Sequence, residues 1–184
     1  RHLEDNLFAL HQKLLAKTYR HGAYHDFYVN DPKRRHIHKA SIADRIVHHL
    51  LYKYLYDLFD KSFVSDSYSC RVGKGTHKAI DRLEKFTRIV SKNHTKDCWA
   101  LKLDIKKFFE SVDHQILLSL IARKVKDKNI LYLIAQVIAS FPVSVQPLKG
   151  IPLGNLTSQI FANIYLNKLD QFVKHKLKIR YYLR

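Results

Sequence analysis

The stretch LKLDIKKFFESVDH, residues 101–114, decides how the rest of the chain is read. Leu101, Leu103 and Ile105 alternate with Lys102, Asp104 and Lys106, the period of a strand, and the preceding Cys98-Trp99-Ala100 extends that strand to 98–105. Asp104 falls near its carboxyl end, and Phe108 and Phe109 follow at once. A carboxylate so placed can ligate a hard cation such as Mg2+, with the carbonyl of Ile105 as a second oxygen. It can equally cap a short helix beginning near Lys106. Spacing alone leaves both open.

Working outward, 184 residues suffice for one domain or two small subdomains, and 46% apolar content excludes a disordered tail. Lys and Arg number 33 against 16 Asp and Glu, a net charge of +17 that repels itself unless a polyanion offsets it. Nucleic acid is the first such partner, since each neutralised phosphate releases counterions. A membrane surface is the rival; no apolar run reaches the ~18 residues of a span, and the basic residues recur from Arg1 to Arg184. With Cys70 and Cys98 alone and no signal peptide, the reading is a reducing, cytoplasmic compartment, with Cys98 a buried thiol in its strand. The absence of methionine suggests that the chain begins and ends inside a longer protein.

Leu3, Leu7, Leu10, Leu14 and Leu15 have helical spacing. Residues 24–40 read as a hairpin, with Asn30-Asp31-Pro32 as the turn and a basic loop. Ser41 caps a helix whose apolar face is Ile42, Ile46, Leu50, Tyr54 and Leu58. Thr76 caps one with Ala79, Ile80, Leu83, Phe86 and Val90 on a face. Asp113 caps the next, with Ile116, Leu117, Leu120 and Ile121, and another runs from about 129 to 141. PVSVQPLKGIPLGN, residues 142–155, is a shaped loop whose Gly-x-Pro-x-Gly turn brings backbone close to a ligand. It feeds a capped helix facing inward through Ile160, Phe161, Ile164, Tyr165, Leu169, Phe172 and Val173, and IRYYLR, 179–184, begins a further strand.

Five blocks, in the family's order along the chain, resemble one family. LKLDIKKFFESVDH is similar to the first catalytic motif of reverse transcriptases, GIPLGNLTSQIFANIYLNKLD to the next, and KIRYYLR to the lead-in of the hairpin whose tip carries paired aspartates. DPKRRHIHKASIADRIVHHLL and DSYSCRVGKGTHKAIDRL resemble the fingers motifs of bacterial reverse transcriptases. The resemblance implies an α+β polymerase right-hand fold: helical fingers with a β-hairpin over 1–98, then over 99–184 part of a palm, an antiparallel sheet with helices, including helices at 113–141. The chain would stop before the paired-aspartate hairpin and the thumb.

The resemblance also implies roles. Asp104 is the catalytic first metal ligand and Ile105 contributes its carbonyl, for two Mg2+ ions that Mn2+ can replace. Phe109 fills the space of a ribose 2′-hydroxyl and so selects deoxynucleotides, while Phe108 packs. Lys33 and Arg35 clamp the triphosphate, with Arg34 as rival because a one-residue shift flips strand faces. Arg71, Gly73 and Lys74 hold the template; GKGT at 73–76 lacks the spacing of a P-loop. Pro152 and Gly154 admit the template and nucleotide, Leu153 stands where many relatives carry glutamine, and Ser158 and Gln159 either cap the helix or face the template. The histidines do not form a zinc set.

The function so implied is RNA-templated DNA synthesis on a DNA or RNA primer from dNTP. Leu153 and the TSQ triplet resemble diversity-generating retroelement enzymes and retron-like relatives, implying error-prone copying and a small basic oligomeric accessory protein. A group II intron-type reverse transcriptase and an inactive RNA-binding relative are the alternatives. A chain with Asp104 but no paired aspartates is expected to be inactive alone.

Overall fold

The computed structural model describes residues 2–30, 32–141 and 148–184. Asp31 of the expected turn and residues 142–147 of the expected loop lie outside them. Helices dominate: α1 Leu3–Leu15, α2 Ile42–Phe59, α3 Thr76–Val90, α4 Phe108–Ser111, α5 His114–Ala122, α6 Lys128–Ala139 and α7 Leu156–Gln171, which widens into a π-helical turn at Phe172–Lys176. Between α1 and α2, β1 His25–Asn30 and β2 Arg34–Lys39 form an antiparallel hairpin. The chain is therefore mixed, helices with one small antiparallel sheet.

Local chemistry sets several of these boundaries. The Ser41 hydroxyl accepts from the amide of Asp44, and Asp113 accepts from Ile116, so both expected caps form. Asp127 does the same for α6. Thr76 instead is the first residue of α3, behind Gly75 at φ +116°, and its hydroxyl caps nothing. The core lies where α2, α5, α6 and α7 meet: Val47, Leu51, Leu55, Leu117, Ile121, Ile134, Ile138, Ile160 and Phe161 are all buried. Phe108, Phe109 and Tyr165 pack against its margin.

Four expectations change. The buried face of α2 is Asp44, Val47, His48, Leu51, Leu55 and Phe59, whereas Ile42, Leu50 and Tyr54 face outward. Both stripes are apolar enough to compete; the chosen one keeps its two polar members because each is hydrogen-bonded. On α7, Ile160, Phe161 and Ile164 are buried as expected, but Leu169 and Phe172 are exposed. Residues 98–105 form no strand, with Trp99 93%, Leu101 85% and Leu103 81% exposed, and Cys98 is an exposed thiol. Residues 179–184 are not a strand either. A strand needs neighbours to satisfy its amides, and among the described residues the hairpin is the sole sheet, so the expected palm sheet is not formed there. Ile80, Leu83 and Val90 of α3 are left open in the same way.

Candidate active site

The hairpin sorts its cations by face. Residues opposed across an antiparallel pair share a side, so Arg35 lies with Val29, and Ile37 with Phe27. Arg34, on the other face, places its guanidinium 4.1 Å from the centre of the Tyr28 ring, which stacks on His36 at 4.5 Å. His36 bonds Asp26 at 2.8 Å and holds that exposed carboxyl below its usual range. Lys33 is exposed at the tip.

The Gly-Pro loop docks on the free edge of β2. The amide of His38 donates to Leu153 O at 2.9 Å, and Asn155 Nδ2 donates to His38 O at 2.7 Å. Asn155 is thus spent on the hairpin and does not cap α7 with its side chain. Gly154 sits at φ +107°, and a Cβ there would lie 2.7 Å from Ile37 Cγ2. Glycine is required twice over, for the left-handed backbone and for the close approach. Because Arg35 shares the face of Ile37, it is Arg35 and not Arg34 that lies on the side turned to Gly154.

The other end of the loop is pinned to the segment carrying the phenylalanines. Ile151 N donates to Phe109 O and Gly150 N to Val112 O, both at 2.8 Å, and Asp113 bridges Lys149. His114, buried, donates from Nε2 to Gly150 O at 2.6 Å. Phe109 is half-buried, beside Phe108 edge-on at 5.5 Å, and Phe108 meets Tyr165 at 6.2 Å. Arg35, Phe109, Pro152, Leu153 and Gly154 are thereby joined through one continuous main-chain framework.

Asp104 and Ile105 stand outside it, exposed, four residues before α4 begins. Asp104 accepts no hydrogen bond among the described residues and does not cap α4, whose N-cap is Lys107 in a left-handed conformation. Its carboxylate and the Ile105 carbonyl are two hard oxygens, suited to Mg2+ but short of the six such an ion requires. Among the described residues no cluster of three metal-ligating side chains completes them.

The expected template group divides. Arg71 is 8% exposed and donates to Asp60 Oδ1 at 2.7 Å, Val64 O at 2.9 Å and Ser67 O at 3.1 Å, holding the Asp60 carboxyl below its usual range. Its donors are turned inward, so it shapes the loop and does not itself reach a strand of nucleic acid. Gly73 is open and left-handed at φ +71°, and Lys74 lies 4.9 Å from the Tyr68 ring centre. Ser158 is buried with its hydroxyl unpartnered in the described residues, while Gln159 is exposed, as a 100° helical step demands.

Behind the loop runs a polar chain that no local pattern announced. His21 Nδ1 must donate to the Gly22 carbonyl at 2.7 Å, which leaves its Nε2 to accept from His48 Nε2 at 3.0 Å; His48 Nδ1 then accepts from Thr157 Oγ1 at 2.5 Å. Asp44 completes the wall, accepting from Tyr19 Oη at 2.7 Å, Ser41 Oγ at 2.6 Å and Gly22 N at 3.2 Å. Burial and its proximity to Asp44 push the Tyr19 hydroxyl above its usual range. His48 is 1% exposed, and desolvation followed by repulsion from His21 lowers its pKa to about 4. Since the folded pKa lies below the ordinary 6.5, the unfolded chain takes up the proton first as pH falls. The contribution of this neutral, buried histidine is thus complete above 6.5 and is lost between about 6.5 and 4, by roughly 3 kcal/mol at ~1.4 kcal/mol per unit. Urea unfolding at pH 7 and pH 4.5 measures this, and His48→Gln flattens the slope.

The framework thus joins the hairpin, the glycine-proline turn and the Phe108-Phe109 segment, while Asp104 stands exposed outside it. Residues 13–183 match the family model for reverse transcriptase (RNA-dependent DNA polymerase), and the chain belongs to that family. It is 29% identical over 140 residues to an uncharacterized 91 kDa protein in the cob intron of Schizosaccharomyces pombe (74% of this chain, 16% of that protein). It is 23% identical over 180 residues to protein YkfC of Escherichia coli (95% and 47%) and 26% identical over 185 residues to the group II intron-encoded protein LtrA of Lactococcus lactis subsp. cremoris (97% and 30%). The chain spans less than half the length of each of these relatives. No helix among the described residues is long and apolar enough to cross a membrane.

Proposed function

We propose that the intact protein copies RNA into DNA, extending a DNA or RNA primer from dNTP. The observation carrying this is the main-chain framework that ties Arg35, Phe109 and the 150–154 loop together in a chain of this family. Residues 1–98 act as fingers, and 99–184 as the first part of a palm in a right-hand polymerase fold.

Arg35, with Lys33 at the hairpin tip, neutralises the triphosphate, whose phosphoryl oxygens gain charge at the transition state. Gly154 and Pro152 let backbone approach the nucleotide and template, with Leu153 an apolar side of that cradle. Asp104 and Ile105 would hold Mg2+, with Mn2+ as substitute; two bound ions supply charge stabilisation to the attacking 3′-hydroxyl and leaving pyrophosphate oxygens. Lys74 and Gln159 face the template, and Arg71 acts on it only through the loop that it shapes.

Phe109 is the sugar gate. Phe109→Ala in the intact protein lowers the dNTP-over-NTP ratio of kcat/KM by about 10- to 100-fold, the range that one steric contact supplies. Unchanged discrimination removes Phe109 from that role.

Intron-borne relatives favour a group II intron-type enzyme, one that could also assist splicing of its own RNA. The retroelement reading rests on Leu153 and the TSQ triplet, and adds a basic accessory protein. Sequencing of the copied DNA separates them, since errors concentrated at template adenines belong to the retroelement type alone.

A further inference from the structure

The last residues of the chain close a buried ionic junction that the nucleotide cradle does not use. Asp170 on α7 is wholly buried; its carboxylate accepts from Arg184 Nε at 2.8 Å and Nη2 at 2.8 Å, and from Tyr182 Oη at 2.6 Å. That proximity and burial push the Tyr182 hydroxyl above its usual range. Arg184 Nη1 donates to Asn163 Oδ1 at 3.2 Å, and Nη2 also donates to Ser67 Oγ at 3.0 Å. Its backbone pairs with the same loop: Tyr68 N donates to Arg184 O at 2.6 Å, and Arg184 N to Asp66 O at 3.0 Å.

We infer that Arg184 is a positioning residue, holding the loop of residues 63–75 on α7 so that Gly73 and Lys74 meet the template in one fixed pose. The path is short. Lys74 lies over the ring of Tyr68 and donates from Nζ to Ser65 O at 2.7 Å; the Tyr68 amide ends on Arg184, and Arg184 ends on Asp170. Ser67 is gripped from both sides, its carbonyl by Arg71 and its hydroxyl by Arg184. Asp66 adds Arg82 at 2.8 Å and Lys174 at 3.1 Å, which binds the same loop to α3 and to the end of α7. Buried, multiply bonded charge pairs of this kind fix one geometry where apolar packing would tolerate several. Because α7 also starts directly after Gly154 and its N-cap Asn155, one helix adjoins both the template loop and the nucleotide loop.

The inference rests on the template role proposed for Gly73 and Lys74, and the test separates the two. In the intact protein, Arg184→Lys keeps the charge but loses the forked grip, and Ser67→Ala removes one bond with little volume change. The probe is a fluorescein-labelled RNA template–DNA primer duplex, titrated where circular dichroism shows each variant folded. Arg184→Lys weakens duplex binding about tenfold and Ser67→Ala about threefold, and Lys74→Ala loses most of its own effect in the Arg184→Lys background, as coupled residues do. Unchanged affinity in the folded variants, with only the thermal midpoint lowered, overturns the inference; if Arg184→Lys does not fold, Ser67→Ala decides on the same criterion. Failure of the unaltered protein to bind the duplex sinks the template reading instead. Hydrogen exchange at Tyr68 then decides the junction: faster exchange in Ser67→Ala upholds it, and unaltered protection overturns it.

Discussion

Asp104→Asn abolishes DNA synthesis in the intact protein, by about a thousandfold or more in kcat, and leaves duplex binding within a factor of about two. Asparagine preserves volume and one oxygen but removes the charge that a hard cation needs, and losing metal stabilisation of the transferring phosphoryl group is worth several kcal/mol. The folded state scarcely notices, because Asp104 is exposed, unbonded and caps nothing. That combination makes the test sharp. A structural carboxylate would lower stability when neutralised; this one has no structural partner among the described residues to lose. Steady-state primer extension with Mg2+, beside a urea titration, checks both halves, and retained synthesis would remove Asp104 from the metal site.

Gly154→Ala has the largest expected effect on the cradle itself. The new methyl would sit 2.7 Å from Ile37 Cγ2 with the backbone held at φ +107°. Forcing a Cβ into that backbone region costs about 1–2 kcal/mol, and overpacking a stiff β-branched neighbour adds roughly 1–3. The hairpin must lift from the loop, so the KM for dNTP rises about tenfold or more alongside a stability loss of roughly 2–5 kcal/mol. Ile37→Ala in the same chain returns the steric part and leaves the backbone part. A double-mutant cycle by urea unfolding resolves the two, and simple additivity would show that the methyl never meets Ile37.

Much of this was legible because it is local. The hairpin and the Ser41 and Asp113 caps depend on residues within a few positions of each other, and they form as read. The α2 face was misread because apolarity favours the stripe of Ile42, Leu50 and Tyr54, while the fold buries the one holding Asp44 and His48. Their partners Tyr19 and Thr157 are 25 and 109 residues distant, beyond any spacing rule. Arg71, expected to hold the template, is instead taken up locally by the Asp60 carboxylate and by the carbonyls of Val64 and Ser67, and carbonyl acceptors are displayed by no sequence pattern. Residues 98–105 have the alternation of a strand, but alternation is a property of a segment and pairing is a property of two. The Asp170–Arg184 junction went unremarked because a lone acid inside an apolar helix carries no motif.

The bonding of Leu153 and Asn155 to the outer rim of β2 carries an implication for substrate entry. One of the two bonds is peptide to peptide and the other comes from the Asn155 side-chain amide, so hairpin and turn are held as a single plate only while both persist. Under the proposed function, a triphosphate would meet Arg35 and the glycine turn as one body, and Asn155 is the side chain whose removal would loosen them.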